Sequence, residues 1–186
     1  MKGILKGINR IKWILASRKL RHIGKNSHVG ECFSVVGGQS INIGDDFSAG
    51  KNVKIHAFDV STSRRPMIFI GNNVTITDNC YLSAAGEIKI GDGTLLGENT
   101  FICDNFYGGN SLEELKTPPN ERKITYKGSV CIGKNVWTGR NVCIMPGVSI
   151  GDGSVIGANS VVTHNILPYS IAVGAPARVT KNIKLE

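Results

Sequence analysis

The 186-residue sequence carries 22 basic and 14 acidic residues, a formal net charge of +8, with 23 glycines and only 6% aromatic residues. Its length supports one domain with a sizeable core, and no run of 18 apolar residues offers a transmembrane helix. Five cysteines (32, 80, 103, 131, 143) form no C-x-x-C pair, and no secretory cleavage site follows the N-terminal apolar residues, so a reducing, cytoplasmic setting is expected.

The positive charge sits at the start. The first thirty residues hold Lys2, Lys6, Arg10, Lys12, Arg18, Lys19, Arg21 and Lys25 and no acid; removing these eight from 22 leaves 14 basic residues against 14 acidic ones. Residues 3–20 predict an amphipathic helix, with Ile4, Ile8, Ile11, Ile14 and Leu15 on one side and Lys2, Lys6 and Arg10 on the other. The preferred role is a cap over the open end of the following repeat. The alternative is peripheral contact of residues 1–21 with an anionic membrane, and the two are compatible. Only Trp13 offers a stacking group and no binding module follows, so no nucleic-acid partner is expected. On this reading residues 1–30 are a basic helix and linker containing His22 and His28, residues 31–167 a repeat domain, and residues 168–186 a C-terminal tail.

A six-residue repeat begins loosely at Ile43, Ala49 and Ile55 and is interrupted at 61–66 (STSRRP). It resumes at Ile70, Ile76, Leu82 and Ile88, then slips by two residues at Gly86-Glu87 to Ile90, Leu96 and Ile102. Residues 104–128, rich in glycine, charge and two prolines, predict a protruding loop rather than strand. Beyond it, Ile132, Thr138, Ile144, Ile150, Ile156 and Val162 occupy one lattice, each with a valine or serine two places before it. A period of six fits neither a helix nor simple alternation. It predicts an all-β solenoid in which each hexad is a short strand plus a corner and three hexads close one coil. Lattice residues point inward, and glycine or asparagine turns the corner at positive φ. His56 then falls on the surface, several coils from the loop, and His164 at a corner after the last lattice residue.

With its tail, residues 160–179 (SVVTHNILPYSIAVGAPARV), the repeat resembles the hexapeptide-repeat acyltransferases, in particular the bacterial sugar acetyltransferases of surface-polysaccharide synthesis. The resemblance implies a left-handed parallel β-helix, a homotrimer, acetyl-CoA bound between neighbouring subunits, no metal, and a sugar or lipid-linked sugar acceptor. Relatives carry Ile-Thr-Asp-(His or Asn)-x-His-Gly at the start of the loop and Pro-Pro-x-x-Arg-Pro near its end. Here the segments read Ile102-Cys103-Asp104-Asn105-Phe106-Tyr107-Gly108 and Pro118-Pro119-Asn120-Glu121-Arg122-Lys123. The position of the family's general base therefore falls on Tyr107, or on Asn105. Neither titrates near neutrality as histidine does. Asp104 is the nearby carboxylate, and two roles are open to it: accepting a proton, or orienting the loop through backbone hydrogen bonds. The resemblance also implies a cofactor site that includes Trp137, Gly139, Gly157, Ala158, Thr163, Ala175, Pro176 and Arg178, with Arg178 available to a CoA phosphate.

Three functions compete. Acetyl transfer from acetyl-CoA to a sugar hydroxyl or amine leads. A catalytically impaired relative that binds CoA or sugar, or acts as a trimeric scaffold, is the alternative that the substituted base suggests. A zinc hydratase of the same fold needs three histidine ligands, and only His56 and His164 lie in the expected repeat region.

Overall fold

A computed structural model describes residues 19–60, 67–109 and 111–183. Among these the chain winds six coils, each laying one short strand on each of three parallel sheets. The first sheet stacks His22–Ile23, Ile41–Ile43, Met67–Ile70, Glu87–Ile90, Val130–Ile132 and Ser149–Ile150. The second stacks His28–Val29, Ser48–Ala49, Thr75–Ile76, Leu95–Leu96, Trp137–Thr138 and Val155–Ile156, then closes with the antiparallel pair Ser170–Gly174 and Ala177–Asn182. The third stacks Ser34–Val36, Lys54–Ala57, Tyr81–Ala84, Phe101–Cys103, Cys143–Ile144 and Val161–Val162. This is the left-handed parallel β-helix.

The lattice residues fill the interior. Ile76, Leu82, Ile88, Leu96, Ile102, Ile144, Ile156 and Val162 are wholly buried, and Ile70, Ile90, Ile132 and Ile150 nearly so. Equivalent residues lie over one another, as in Ile70, Ile90, Ile132 and Ile150 along the first sheet. The two-residue slip is a longer corner at Ala85-Gly86, after which Ile88 and Ile90 both point inward against Ile68 and Ile70.

The corners divide the work between two residue types, which the sequence reading had merged. Asn52, Asn79, Asn99, Asn141 and Asn159 take positive φ of 55–61°. Their side chains form stacked hydrogen bonds, Asn99 donating to Asn141 at 2.8 Å and Asn141 to Asn159 at 2.9 Å. Gly133, Gly139, Gly151 and Gly157 have no positive φ. They are glycine because the next coil is too close: a Cβ on Gly139 would lie 2.6 Å from the Ala158 nitrogen.

Three further expectations change. The solenoid starts ahead of residue 31: His22 and His28 lie on strands of the first coil, not in a linker. His56 is not several coils from the loop, because its strand and the Phe101–Cys103 strand share the third sheet with only Tyr81–Ala84 between them. Residues 104–128 are not a featureless loop but a hairpin, pairing Asn105–Tyr107 with Ile124–Tyr126 and carrying a short helix, Leu112–Lys116. Most of the predicted N-terminal helix lies outside the described residues. Its last residue, Leu20, is buried against the core.

Ile150→Asp would bury a charge with no partner in the apolar core. The expected loss exceeds about 4 kcal/mol, read as aggregation or a collapsed urea midpoint; a soluble variant with an unchanged midpoint would contradict the register.

Candidate active site

Corners between the third and first sheets carry the lengthened connections: the turn Gly38–Ser40, the link from Ala57 to Met67, Ala85-Gly86 and the hairpin. Extra chain here leaves the strand register intact and lines one edge of the prism. The hairpin is held down by Asp104, which is wholly buried. Its Oδ1 accepts from the Ala85 amide at 2.7 Å and from Asn105 Nδ2 at 2.9 Å, and its Oδ2 accepts from the Gly86 amide at 2.8 Å. The carboxylate thus holds the long corner of the preceding coil as well as the hairpin base. Asn105 is nearly as buried, donating to the Ser83 carbonyl at 2.8 Å and to Ser83 Oγ at 3.2 Å.

Tyr107 is different. It is 59% exposed, and its hydroxyl makes no hydrogen bond among the described residues. Beyond it, Arg122 braces the hairpin, donating from Nε to the Thr117 carbonyl at 2.7 Å and from Nη2 to the Leu115 carbonyl at 3.1 Å. Ser111 caps the short helix by accepting from the Glu114 amide.

One residue that the sequence reading left out of the site stands at the hairpin's rim. His56, Ser83 and Cys103 are in register across three neighbouring strands, each one place after an inward residue and so facing outward. The hairpin covers Ser83 and Cys103, while His56 stays half-exposed. Its Nε2 lies 3.1 Å from Ser34 Oγ, and its ring meets those of Tyr81 at 5.1 Å and Phe58 at 5.8 Å edge-on. Burial, aided by the nearby Lys54 charge, lowers the His56 pKa and favours the neutral imidazole. Burial also pushes the Cys103 thiol up to about 11, leaving it unsuited to act as a thiolate. A signal for His56 was available: it follows Ile55 as Ser83 follows Leu82 and Cys103 follows Ile102.

The residues implied for the cofactor gather mainly along another edge. Trp137 is 54% exposed on the outer face of the second sheet, in register with Leu95 and Val155. Gly139, Gly157 and Ala158 form the corner beside it, between the second and third sheets. Ala175 and Pro176 join the closing antiparallel pair, and the Gly174 amide donates to Ser160 Oγ at 3.1 Å, which seats that turn against the same edge. Arg178 is exposed, paired across the antiparallel ladder with Val173. Thr163 does not join this group. It follows the third-sheet strand Val161–Val162, and its Oγ1 lies 2.8 Å from His164 Nδ1. Within one chain, therefore, the third sheet separates Asp104, Asn105 and Tyr107 from Trp137, Gly139, Gly157 and Ala158. No three His, Cys, Asp or Glu side chains converge among the described residues.

The chain matches the bacterial transferase hexapeptide model, of six repeats, over residues 132–164. It is 33% identical over 150 residues to WbbJ of Escherichia coli K12, named a putative lipopolysaccharide biosynthesis O-acetyl transferase, covering 79% of this chain and 74% of that one. The chain is a hexapeptide-repeat acyltransferase. Solved relatives include a maltose O-acetyltransferase from Clostridium difficile, 30% identical with a TM-score of 0.60 over 92% of this chain and 74% of that one. Another is the N-acyltransferase AntD of Bacillus cereus, a point mutant solved in complex with dTDP and coenzyme A. It is 25% identical with a TM-score of 0.73 over 92% and 89% of the two chains.

In this acyltransferase Asp104→Ala would strand the Ala85 and Gly86 amides at the hairpin base, while Asn105 keeps its bonds to Ser83. The expected cost is about 2–4 kcal/mol, with faster hydrogen exchange at Ala85 and Gly86. Unchanged stability and exchange would show that the carboxylate does not hold this corner.

Proposed function

We propose that this acyltransferase moves the acetyl group of acetyl-CoA to a sugar of a surface polysaccharide or lipid-linked glycan. The observation that carries the reading is the 33% identity to an O-acetyl transferase named for lipopolysaccharide biosynthesis. Coenzyme A as the acyl carrier draws support from the solved AntD complex. In this chain the exposed Trp137 and the tight glycine corner beside it offer a flat apolar contact and a close backbone approach along one edge, and Arg178 offers a charge for a phosphate.

The reading includes a homotrimer on the cytoplasmic side of the membrane. The residues proposed for the cofactor and the hairpin stand on opposite margins of the third sheet in one chain, which supports a site completed by two copies, one giving the Trp137 edge and the next the hairpin edge. Asp104 acts in this scheme as a positioning residue, since its oxygens already hold the Ala85 and Gly86 amides and Asn105. The N-terminal arm is proposed to cap the first coil or to touch an anionic membrane.

Tyr107 in the base position favours a second reading, a relative that binds acetyl-CoA without turning it over. Calorimetric titration and CoA release against a panel of nucleotide sugars and lipid-linked oligosaccharides separate the two. The proposed function predicts acetyl-CoA binding, weakened about tenfold or more by Trp137→Ala, and release of CoA with at least one sugar. Binding with no release across the panel would favour the second reading, and absence of binding would overturn both.

A further inference from the structure

Resting on the transfer reading above, we propose that His56 is the base that takes the proton from the acceptor, replacing from the second coil the histidine that the hairpin lacks. The placement comes from the register. His56 lies beside Ser83, and Ser83 is the residue on which Asn105 lands. The imidazole therefore stands one strand from the foot of the hairpin, at the margin where the lengthened corners begin. It is reachable from solvent, whereas Ser83 and Cys103 beside it are covered.

The ring is held as a base must be. Contact of Nε2 with Ser34 Oγ fixes one nitrogen, and the edges of Tyr81 and Phe58 fix the plane. We assign the tautomer in which Nε2–H donates to the serine, so that Nδ1 carries the lone pair, and no described residue bonds it. The lowered pKa favours the neutral form that base catalysis requires. Of the elements packed against it, its own strand brings Lys54, the segment that follows with Phe58 brings Asp59, the Tyr81–Ala84 strand brings Tyr81, and the Ser34–Val36 strand brings no titratable group. Burial is the larger influence on the imidazole and Lys54 the next, and both oppose its charging.

The other histidines lack this combination. His22 and His28 belong to the first coil on the other two sheets. His164 lies at a corner beyond the last coil, with Nδ1 already engaged by Thr163.

The step balances without a further reactant. A sugar hydroxyl forms its C–O bond to the thioester carbonyl as Nδ1 takes its proton. The C–S bond then breaks, and the imidazolium returns the proton to the departing sulfur, yielding the acetyl sugar and CoA. A neutral imidazole suits a hydroxyl, which has no free basic lone pair like that of an amine.

The test uses the full chain and acetyl-CoA, reading thiol release with the best acceptor of the panel and with water alone. His56→Gln should lower transfer by about 10²–10⁴ while leaving acetyl-CoA affinity within about twofold. The wild-type rate should fall on acidification with an apparent pKa below the ordinary histidine value of 6.5, and that limb should vanish in the variant. Added imidazole should restore part of the rate to His56→Gly, a rescue that a merely structural role would not produce. An unchanged rate and acid limb in folded His56→Gln would overturn the assignment while leaving acetyl transfer intact. Failure of the wild type to bind acetyl-CoA would overturn the transfer reading, and this assignment with it.

Discussion

The structure depends on one constraint: each strand must lie over its equivalent in the coil before and the coil after. Backbone hydrogen bonds run between coils, so a register fixed at one face binds the other two. Gly139 donates to Ile156 and Gly157 to Ala172, both at 2.8 Å, continuing one ladder along the second sheet. An inserted residue inside a strand would turn inward residues outward. Extra chain is admissible only at corners, and the long insertions use the third-to-first corner.

This constraint decides where extra chain can stand. The lengthened corners follow one edge, where the hairpin base is held by a buried carboxylate that bridges two coils. The second-to-third edge keeps tight corners, because glycines there accept the next coil at contact distance. One edge is thus built for projecting side chains and the other for close backbone approach. On the proposed function a thioester would use both, an apolar track for its carrier and a polar margin for proton transfer, which a single chain has on different edges.

Much of the fold was legible because a period of six is unlike any helix or simple strand. It was clearest where the inward residue is a large aliphatic, from Ile132 to Val162. The first coil is faint in the sequence although Ile23, Val29 and Val35 keep the same spacing, because these residues are only partly buried and their surroundings are polar. The hairpin was hidden by its glycines and prolines, which mark turns but do not reveal that Asn105–Tyr107 pairs with Ile124–Tyr126. The Asp104-Asn105 segment was visible as a motif, and the carboxylate's bonding to the preceding coil was not. The sequence places His56 on the surface but not beside the hairpin. Its neighbours Ser83 and Cys103 are brought to it only when coils of unequal length are stacked, and unequal corners erase any fixed spacing between them.

On the proposed function each site is assembled from two copies of the chain. A crystal structure of the protein with CoA tests it most directly. The account predicts a trimer with the pantetheine lying along the Gly139–Gly157–Ala158 edge of one copy against Trp137, its thiol directed to the hairpin edge of the next. A CoA molecule held entirely by one copy, or bound with its thiol away from any hairpin edge, would contradict it.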